Sequence, residues 1–133
     1  MFLLDTNIVS DAKKGRLPVV DWMNRQVERD LFVSVVTLGE ISKGVSMKSR
    51  RDPVSGVHHA DWLRKIREWY ADRILPVSDD IAIEWGRIAA LRTRGDADGL
   101  IAATALVHDL TLVTRNVGDF ADTGVRLFNP WQA

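Results

Sequence analysis

Short apolar runs of strand length alternate along the chain with segments whose apolar residues recur at helical spacing. The runs cover residues 2–4, 31–36, 74–77, 111–114 and 125–128. Strands separated by helices pair in parallel, because each crossover helix returns the chain to the same edge of the sheet. The sequence therefore predicts a three-layer α/β/α sandwich with a mostly parallel central sheet, in which ligands bind beyond the carboxyl ends of the strands.

The segments between these runs differ in character. A helix is predicted over residues 17–27, and two further helix faces are expected to lie in the core or in an interface. Residues 99–107 are apolar almost all round, which predicts a central helix packed closely on its neighbours. The polar residues 49–56 predict a surface loop. The two helix faces are formed by Trp62, Ile66, Trp69 and Tyr70, and by Ile81, Trp85 and Ile88.

Length and composition limit the architecture and the chemistry. We expect a single domain over residues 1–133, because this length is close to the commonest domain size. Cysteine is absent, so any metal must bind oxygen or His ligands. A chain without disulfides is also compatible with the reducing conditions of the cytoplasm. The 18 basic and 18 acidic residues cancel, so nucleic-acid binding requires a local patch. Neither a secretory signal nor a membrane span is expected.

Two aspartates lie where a ligand-binding carboxylate is expected. Asp5 directly follows the run at 2–4 and would project from the carboxyl end of the first strand. Asp98 stands immediately before the apolar helix, and we expect it to face inward while Asp96 interacts with the helix dipole in solvent. Both have a simpler alternative role, since an Asp at either position can cap the following helix.

Glu40 and Asp119 are weaker candidates when judged from their local sequence alone. Glu40 follows the second strand, but Thr37 and Glu40 also have the spacing of a capping box, which needs no active site. Asp119 lies in the loop after the fourth strand. A surface turn is the alternative there, and Asn116 competes for the same place.

Carboxylates gathered at one sheet edge repel each other and require a counter-charge. Hard divalent cations supply it, and a cysteine-free acidic site points to Mg²⁺, with Mn²⁺ as a substitute, rather than to zinc. One such ion can deprotonate a bound water, and a second could stabilise the leaving oxygen of a phosphodiester. Thr6 and Thr114 are placed to hydrogen-bond the carboxylates.

Other polar residues carry a weaker signal. We expect structural roles for the three histidines, which are His58, His59 and His108. A basic strip could contact phosphates, although such runs are commonly solvated faces; it consists of Lys43, Lys48, Arg50 and Arg51. The sequence has no P-loop, dinucleotide-binding glycine motif or serine nucleophile elbow, which are the commonest other uses of a parallel sheet.

Four short motifs, taken in order, resemble those of PIN-domain toxins of the VapC family. They are Asp5-Thr6-Asn7, Glu40, Asp98 with the following GLIAATA, and TRNVGDF at residues 114–120, and they span nearly the whole chain. The closing FNPW at residues 128–131 is similar to the FitB-type branch of that family. The resemblance implies a PIN-like fold.

The same resemblance implies a Mg²⁺-dependent RNA endonuclease that acts as the toxin of a type II toxin–antitoxin pair. Such a toxin is usually dimeric and is inhibited by a VapB-type antitoxin, through which operator DNA becomes an indirect partner. Asp5 and Asp98 would be the principal metal ligands, Glu40 would bind metal or orient the attacking water, and Asp119 would complete the acidic set. In relatives the fourth acid occupies the position of either Asn116 or Asp119, so this choice stays open.

Two other functions compete with this interpretation. A phosphatase-like domain could also use Asp5, but the haloacid-dehalogenase pattern requires a second Asp where Asn7 stands. A non-catalytic interaction module could retain the fold and use the acids for capping and packing.

Overall fold

A five-stranded parallel sheet forms the centre of the molecule. The computed structural model describes residues 1–133, and its strand order is β3-β2-β1-β4-β5 with every neighbouring pair parallel. Phe2 of the middle strand lies opposite Leu31 on one side and Thr111 on the other. The strands are β1 (Phe2–Leu4), β2 (Leu31–Ser34), β3 (Ile74–Leu75), β4 (Thr111–Val113) and β5 (Leu127–Phe128).

Seven helices connect the strands and cover both faces of the sheet. A short 3₁₀ turn at Glu28–Asp30 precedes β2, and another at Pro130–Gln132 follows β5. The helices are α1 (Thr6–Lys13), α2 (Leu17–Asn24), α3 (Val35–Arg51), α4 (Pro53–Trp69), α5 (Asp79–Ala89), α6 (Asp96–Val107) and α7 (Val117–Phe120). None of these helices is both long and apolar enough to cross a membrane.

Two separate apolar cores lie on opposite faces of the sheet. Successive strand residues point to opposite faces, so Leu4 contributes to the core beneath α1–α4, whereas Leu3 contributes to the core beneath α5 and α6. Ile8 and Ile66 are buried in the first core, and Ile101 in the second. Helices, sheet and helices thus form three layers, which confirms the predicted α/β/α sandwich.

The predicted surface loop at residues 49–56 is wrong. Helix α3 continues to Arg51 and α4 begins at Pro53, so that only Asp52 separates them. Asp52 caps α4 by accepting hydrogen bonds from the Val54 amide (3.2 Å) and the Ser55 hydroxyl (2.7 Å). The Asp-Pro pair starts a helix here because Pro fits the first helical position and Asp accepts the free amides.

Several predicted boundaries also differ from the structure. The second strand ends at Ser34 because its hydroxyl accepts the Val36 amide (3.0 Å) and so starts α3 within the predicted strand. The helix predicted at 17–27 ends at Asn24, and the apolar helix predicted at 99–107 already begins at Asp96. Trp62 is buried in the core, whereas Trp69 is 56 % exposed on the surface of α4.

Candidate active site

Asp5 lies at the carboxyl end of the middle strand and is only 4 % exposed. Its carboxylate accepts hydrogen bonds from the Thr6 amide (2.8 Å) and from the Thr114 hydroxyl (2.8 Å). Burial raises the pKa of Asp5 to about 6, against the opposing effect of these two hydrogen bonds. Asp5 does cap α1, as the simpler alternative requires, but a cap alone does not need the buried hydrogen bond from Thr114.

Thr114, which follows β4, links several groups at this edge of the sheet. It is fully buried, and besides donating to Asp5 its hydroxyl accepts the Asn116 amide (3.0 Å) and lies 3.4 Å from Asn7 Nδ2. Asn7 Oδ1 in turn accepts the backbone amide of Arg115 (3.5 Å). The turns after β1 and β4 are therefore held together by side chains.

Glu40 reaches the same region from α3, although not through the predicted capping box. Helix α3 is capped by Ser34, so Thr37 already lies within the helix. The Thr37 hydroxyl instead bonds the Thr6 hydroxyl (2.9 Å), which donates to Glu40 Oε1 (2.6 Å). The expected hydrogen bonds from Thr6 and Thr114 to carboxylates are confirmed, with Thr6 on Glu40 and Thr114 on Asp5.

Asp98 lies in the first turn of α6 and does not cap it, because the helix begins two residues earlier at Asp96. The side chain is half-buried, and burial raises its pKa. The negative charges of Glu40 and Asp119 raise it further, while the Arg94 guanidinium lowers it. Asp98 therefore lies within electrostatic range of both Glu40 and Asp119.

Asp119 lies in the short helix α7 with its side chain exposed. Its backbone carbonyl accepts hydrogen bonds from Arg92 (2.6 Å) and Arg94 (2.8 Å), which hold α7 against the segment leading into α6. Asn116 precedes α7 and makes no side-chain cap. Of these two residues only Asp119 carries a charge, which raises the pKa of Asp98, and its role as the fourth acid stays a prediction.

The four acids share one region without forming a closed metal cage. Asp98 and Glu40 raise the pKa of Asp5, but no three Asp, Glu or His side chains approach closely enough to make a ready ion site. Carboxylate oxygens are nevertheless the donors that Mg²⁺ prefers, and this ion usually keeps several waters while binding one or two carboxylates. The donor set thus fits a partly hydrated hard cation.

The remaining predicted polar residues lie on α3, on α4 and at the end of α6. His58 and His59 belong to α4, where the His59 ring packs on Trp62 with a centroid separation of 5.0 Å. His108 follows the last residue of α6. The basic strip lies on α3. Its last three members, Lys48, Arg50 and Arg51, lie in the last turn of that helix, at the end far from Ser34.

The sequence analysis missed the roles of Thr37 and Arg94. Thr37 was assigned to a cap because the helix was expected to start later. Arg94 is 6 % exposed and donates to Asp119 O and Asp122 Oδ2, while its buried Nε has no hydrogen-bond partner. No local pattern marks Arg94, because it lies in the irregular segment between two helices.

Comparison with known proteins gives consistent matches over nearly the whole chain. Residues 2–125 match the model of the PIN domain family. Toxin FitB of Neisseria gonorrhoeae is 35 % identical, with 98 % of this chain and 99 % of FitB covered. VapC ribonuclease Y4jK of Sinorhizobium fredii is 29 % identical, with 99 % of each protein covered.

Solved structures agree with these matches. The crystal structure of FitAcB from Neisseria gonorrhoeae superimposes with a TM-score of 0.87 at 34 % identity and covers 100 % of both chains. The structure of FitAB bound to an IR36 DNA fragment gives a TM-score of 0.82 at 32 % identity and covers 98 % of this chain and 96 % of the other.

Proposed function

This chain belongs to the PIN-domain family, and from that membership we propose that it is a divalent-metal-dependent RNA endonuclease, the toxin of a VapBC-type toxin–antitoxin pair. The observation that carries the proposal is the gathering of Asp5, Glu40 and Asp98 at the carboxyl edge of a parallel sheet. Ligands of such sheets bind at this edge. The ribonuclease name of the relative Y4jK supports the same activity.

The proposed reaction is hydrolysis of an RNA phosphodiester by water. When bound, Mg²⁺ or Mn²⁺ supplies a lowered water pKa and a positive charge for the phosphodiester. Asp5 and Asp98 would hold the ion, and Asp119 would complete the acidic set. Glu40, fixed by the Thr6 hydroxyl at 2.6 Å, would bind the ion or orient the attacking water.

Asp5 is suited to cation binding because its surroundings disfavour its bare charge. Without a counter-ion, burial keeps the pKa of this carboxyl near 6. The Thr114 hydroxyl occupies one carboxylate oxygen and fixes the orientation of the group. The neutralisation of Asp5 by a cation removes the repulsion from Asp98 and Glu40.

We also propose that the partner is a VapB-type or FitA-type antitoxin protein. The solved relatives are FitAcB and FitAB bound to a DNA fragment, which supports an antitoxin that contacts operator DNA on behalf of the pair. As part of the same proposal, the toxin consists of one domain per chain, forms a homodimer and acts in the cytoplasm.

The proposal is tested by cleavage of a fluorogenic RNA in Mg²⁺ by the wild type, Asp5→Asn and Asp98→Asn. Each substitution keeps the side-chain shape but removes the charge, so we expect activity to fall by more than about 100-fold, beyond the effect of losing a supporting hydrogen bond. Excess EDTA should abolish cleavage, and added Mn²⁺ should restore it.

Asp109→Asn provides the matched control. Asp109 is exposed and pairs with Arg126 at the opposite edge of the sheet, so its substitution should leave cleavage unchanged. Equal cleavage by the wild type and both site variants would refute the proposal and favour a non-catalytic interaction module. A covalent phosphate trapped on Asp5 would instead favour the phosphatase-like alternative.

A further inference from the structure

Arg115 immediately follows Thr114 at the edge of the sheet where the acids gather. Its backbone is fixed by Asn7, whose Oδ1 accepts the Arg115 amide (3.5 Å), and by Asn129, whose Nδ2 donates to the Arg115 carbonyl (3.4 Å). The side chain is 48 % exposed. A positive charge is thus carried by the turn that follows Thr114, whose hydroxyl donates to Asp5.

The guanidinium of Arg115 makes no hydrogen bond within the chain. Its one ionic contact is with Asp11, at 3.2 Å between Nε and Oδ2. Of the other arginines at this edge, Arg94 donates to the Asp119 carbonyl and to Asp122, and Arg92 donates to the Asp119 carbonyl through one nitrogen. Arg115 differs from both because its two terminal nitrogens make no hydrogen bond within the chain and remain free for a ligand.

Asp11 and Trp131 hold this guanidinium in place. Asp11 is only 3 % exposed, and its Oδ2 also accepts the Trp131 indole N–H at 3.1 Å. The Trp131 ring lies beneath Arg115, with 5.9 Å between the guanidinium carbon and the ring centroid. A buried carboxylate and an aromatic face restrict the arginine on two sides, while about half of its side chain stays exposed to solvent.

An RNA strand that approaches four carboxylates needs a nearby positive group to offset their repulsion. Planar guanidinium donors match the oxygens of a phosphate. We propose that Arg115, oriented by Asp11 and Trp131, contacts an RNA backbone phosphate next to the one that is cleaved. This inference rests on the proposed ribonuclease function and adds a substrate-binding residue to it.

The test compares steady-state cleavage of a single-stranded fluorogenic RNA by the wild type, Arg115→Gln, Arg115→Lys and Arg126→Gln. Loss of one phosphate contact should raise KM by about fivefold to tenfold, with kcat changed by less than about twofold. The slope of log(kcat/KM) against log salt should become shallower by about 0.7. Arg115→Lys should restore the salt slope but reverse only part of the rise in KM, because lysine keeps the positive charge but lacks the paired planar donors of a guanidinium.

Arg126 is the matched control because it is also a half-exposed arginine paired with an aspartate. Each of its three nitrogens makes a hydrogen bond, Nε to Thr111 and both terminal nitrogens to Asp109, at the amino end of β4. Arg126→Gln should therefore leave KM and the salt slope unchanged. Asp11→Asn should raise KM in the wild type but add nothing in Arg115→Gln, since it acts only through Arg115.

The outcomes separate this inference from the proposed function. A wild type that cleaves RNA, together with an Arg115→Gln variant of equal KM and salt slope, overturns the role of Arg115 alone. The same holds if Arg115→Gln only lowers the melting temperature, because Arg115 then merely fastens the carboxyl-terminal turn. A wild type that cleaves no RNA overturns the proposed ribonuclease and the phosphate contact together.

Discussion

Asp5 carries a negative charge in a place where folding disfavours it. Burial raises its pKa from 3.8 to about 6, so between these values the folded chain binds more protons at this site than the unfolded chain. Stability must then decrease as pH rises through this window and stay reduced above it. The group thus lowers the free energy of unfolding of the metal-free protein at neutral pH.

Asp5→Asn should therefore stabilise the metal-free protein at about pH 7.5 by about 1–3 kcal/mol, because it removes the buried charge and keeps an oxygen that accepts the Thr6 amide. At about pH 4 the gain should disappear, since Asp5 is then neutral in the folded state. Urea unfolding in EDTA at both values measures the effect. A variant no more stable than the wild type at the higher pH would contradict it.

Thr114 is a second residue whose effect is predictable from its contacts. Thr114→Val keeps the side-chain shape but removes the hydroxyl that donates to Asp5 and accepts the Asn116 amide. We expect a loss of about 1–3 kcal/mol in stability, because buried partners are left without hydrogen bonds, and a fall in RNA cleavage of about 10–100-fold. Denaturant unfolding and cleavage assays measure the two effects, and an unchanged rate would mean that Thr114 does not support the site.

At the scale of elements, the position of α6 depends on close packing with α5. A Cβ added at Gly99, the residue after Asp98, would lie 2.9 Å from Trp85 Cδ1. Gly99 therefore lets the start of α6 approach the indole of Trp85. The position of Asp98 therefore depends on the close contact between Gly99 and Trp85.

Gly99→Ala should destabilise the protein by about 1–3 kcal/mol and reduce RNA cleavage, because the indole or the start of α6 must move. Gly86→Ala is the control within α5, since Gly86 is exposed and an added Cβ meets nothing within 4 Å. This control should stabilise the protein by about 0.5–1 kcal/mol through helix propensity. Melting curves that show the same shift for both variants would contradict the packing argument.

The order and type of the elements could be predicted from the sequence, but several of their ends could not. Apolar runs mark strands because a parallel sheet is buried on both faces. The start of α3 was misplaced because Ser34 both ends a buried strand and caps a helix, and the two patterns overlap. Residues 49–56 were misassigned because Asp-Pro occurs both in turns and at helix starts.

For the candidate site, the sequence indicated which acids lie at the sheet edge but not how they are supported. Asp5 follows a strand directly, so its position comes from topology alone. The link from Thr6 to Glu40 joins residues 34 positions apart, and the bond from Thr114 to Asp5 spans 109. Their geometry is set by tertiary packing. The catalytic roles of these acids remain predictions.

At the scale of the whole molecule, divalent cations should couple to folding. Only the folded chain brings Asp5 and Asp98 into one region, so Mg²⁺ should bind the folded state preferentially. At a concentration about 100 times its Kd, the ion should add about 3 kcal/mol to the free energy of unfolding. Thermal melts with and without Mg²⁺ measure this gain, which Asp5→Asn and Asp98→Asn should largely remove. An equal gain in those variants would place the ion elsewhere.

The first strand of the chain is the middle strand of the sheet, which bears on how the protein is made. Leu3 pairs with Phe32 on one side and with Leu112 on the other, and Leu112 is synthesised much later than Leu3. During translation, Asp5 therefore emerges long before Thr114 and Asp119 exist to surround it. A chain released early by the ribosome lacks these residues, so under the proposed function it could not complete the acidic site.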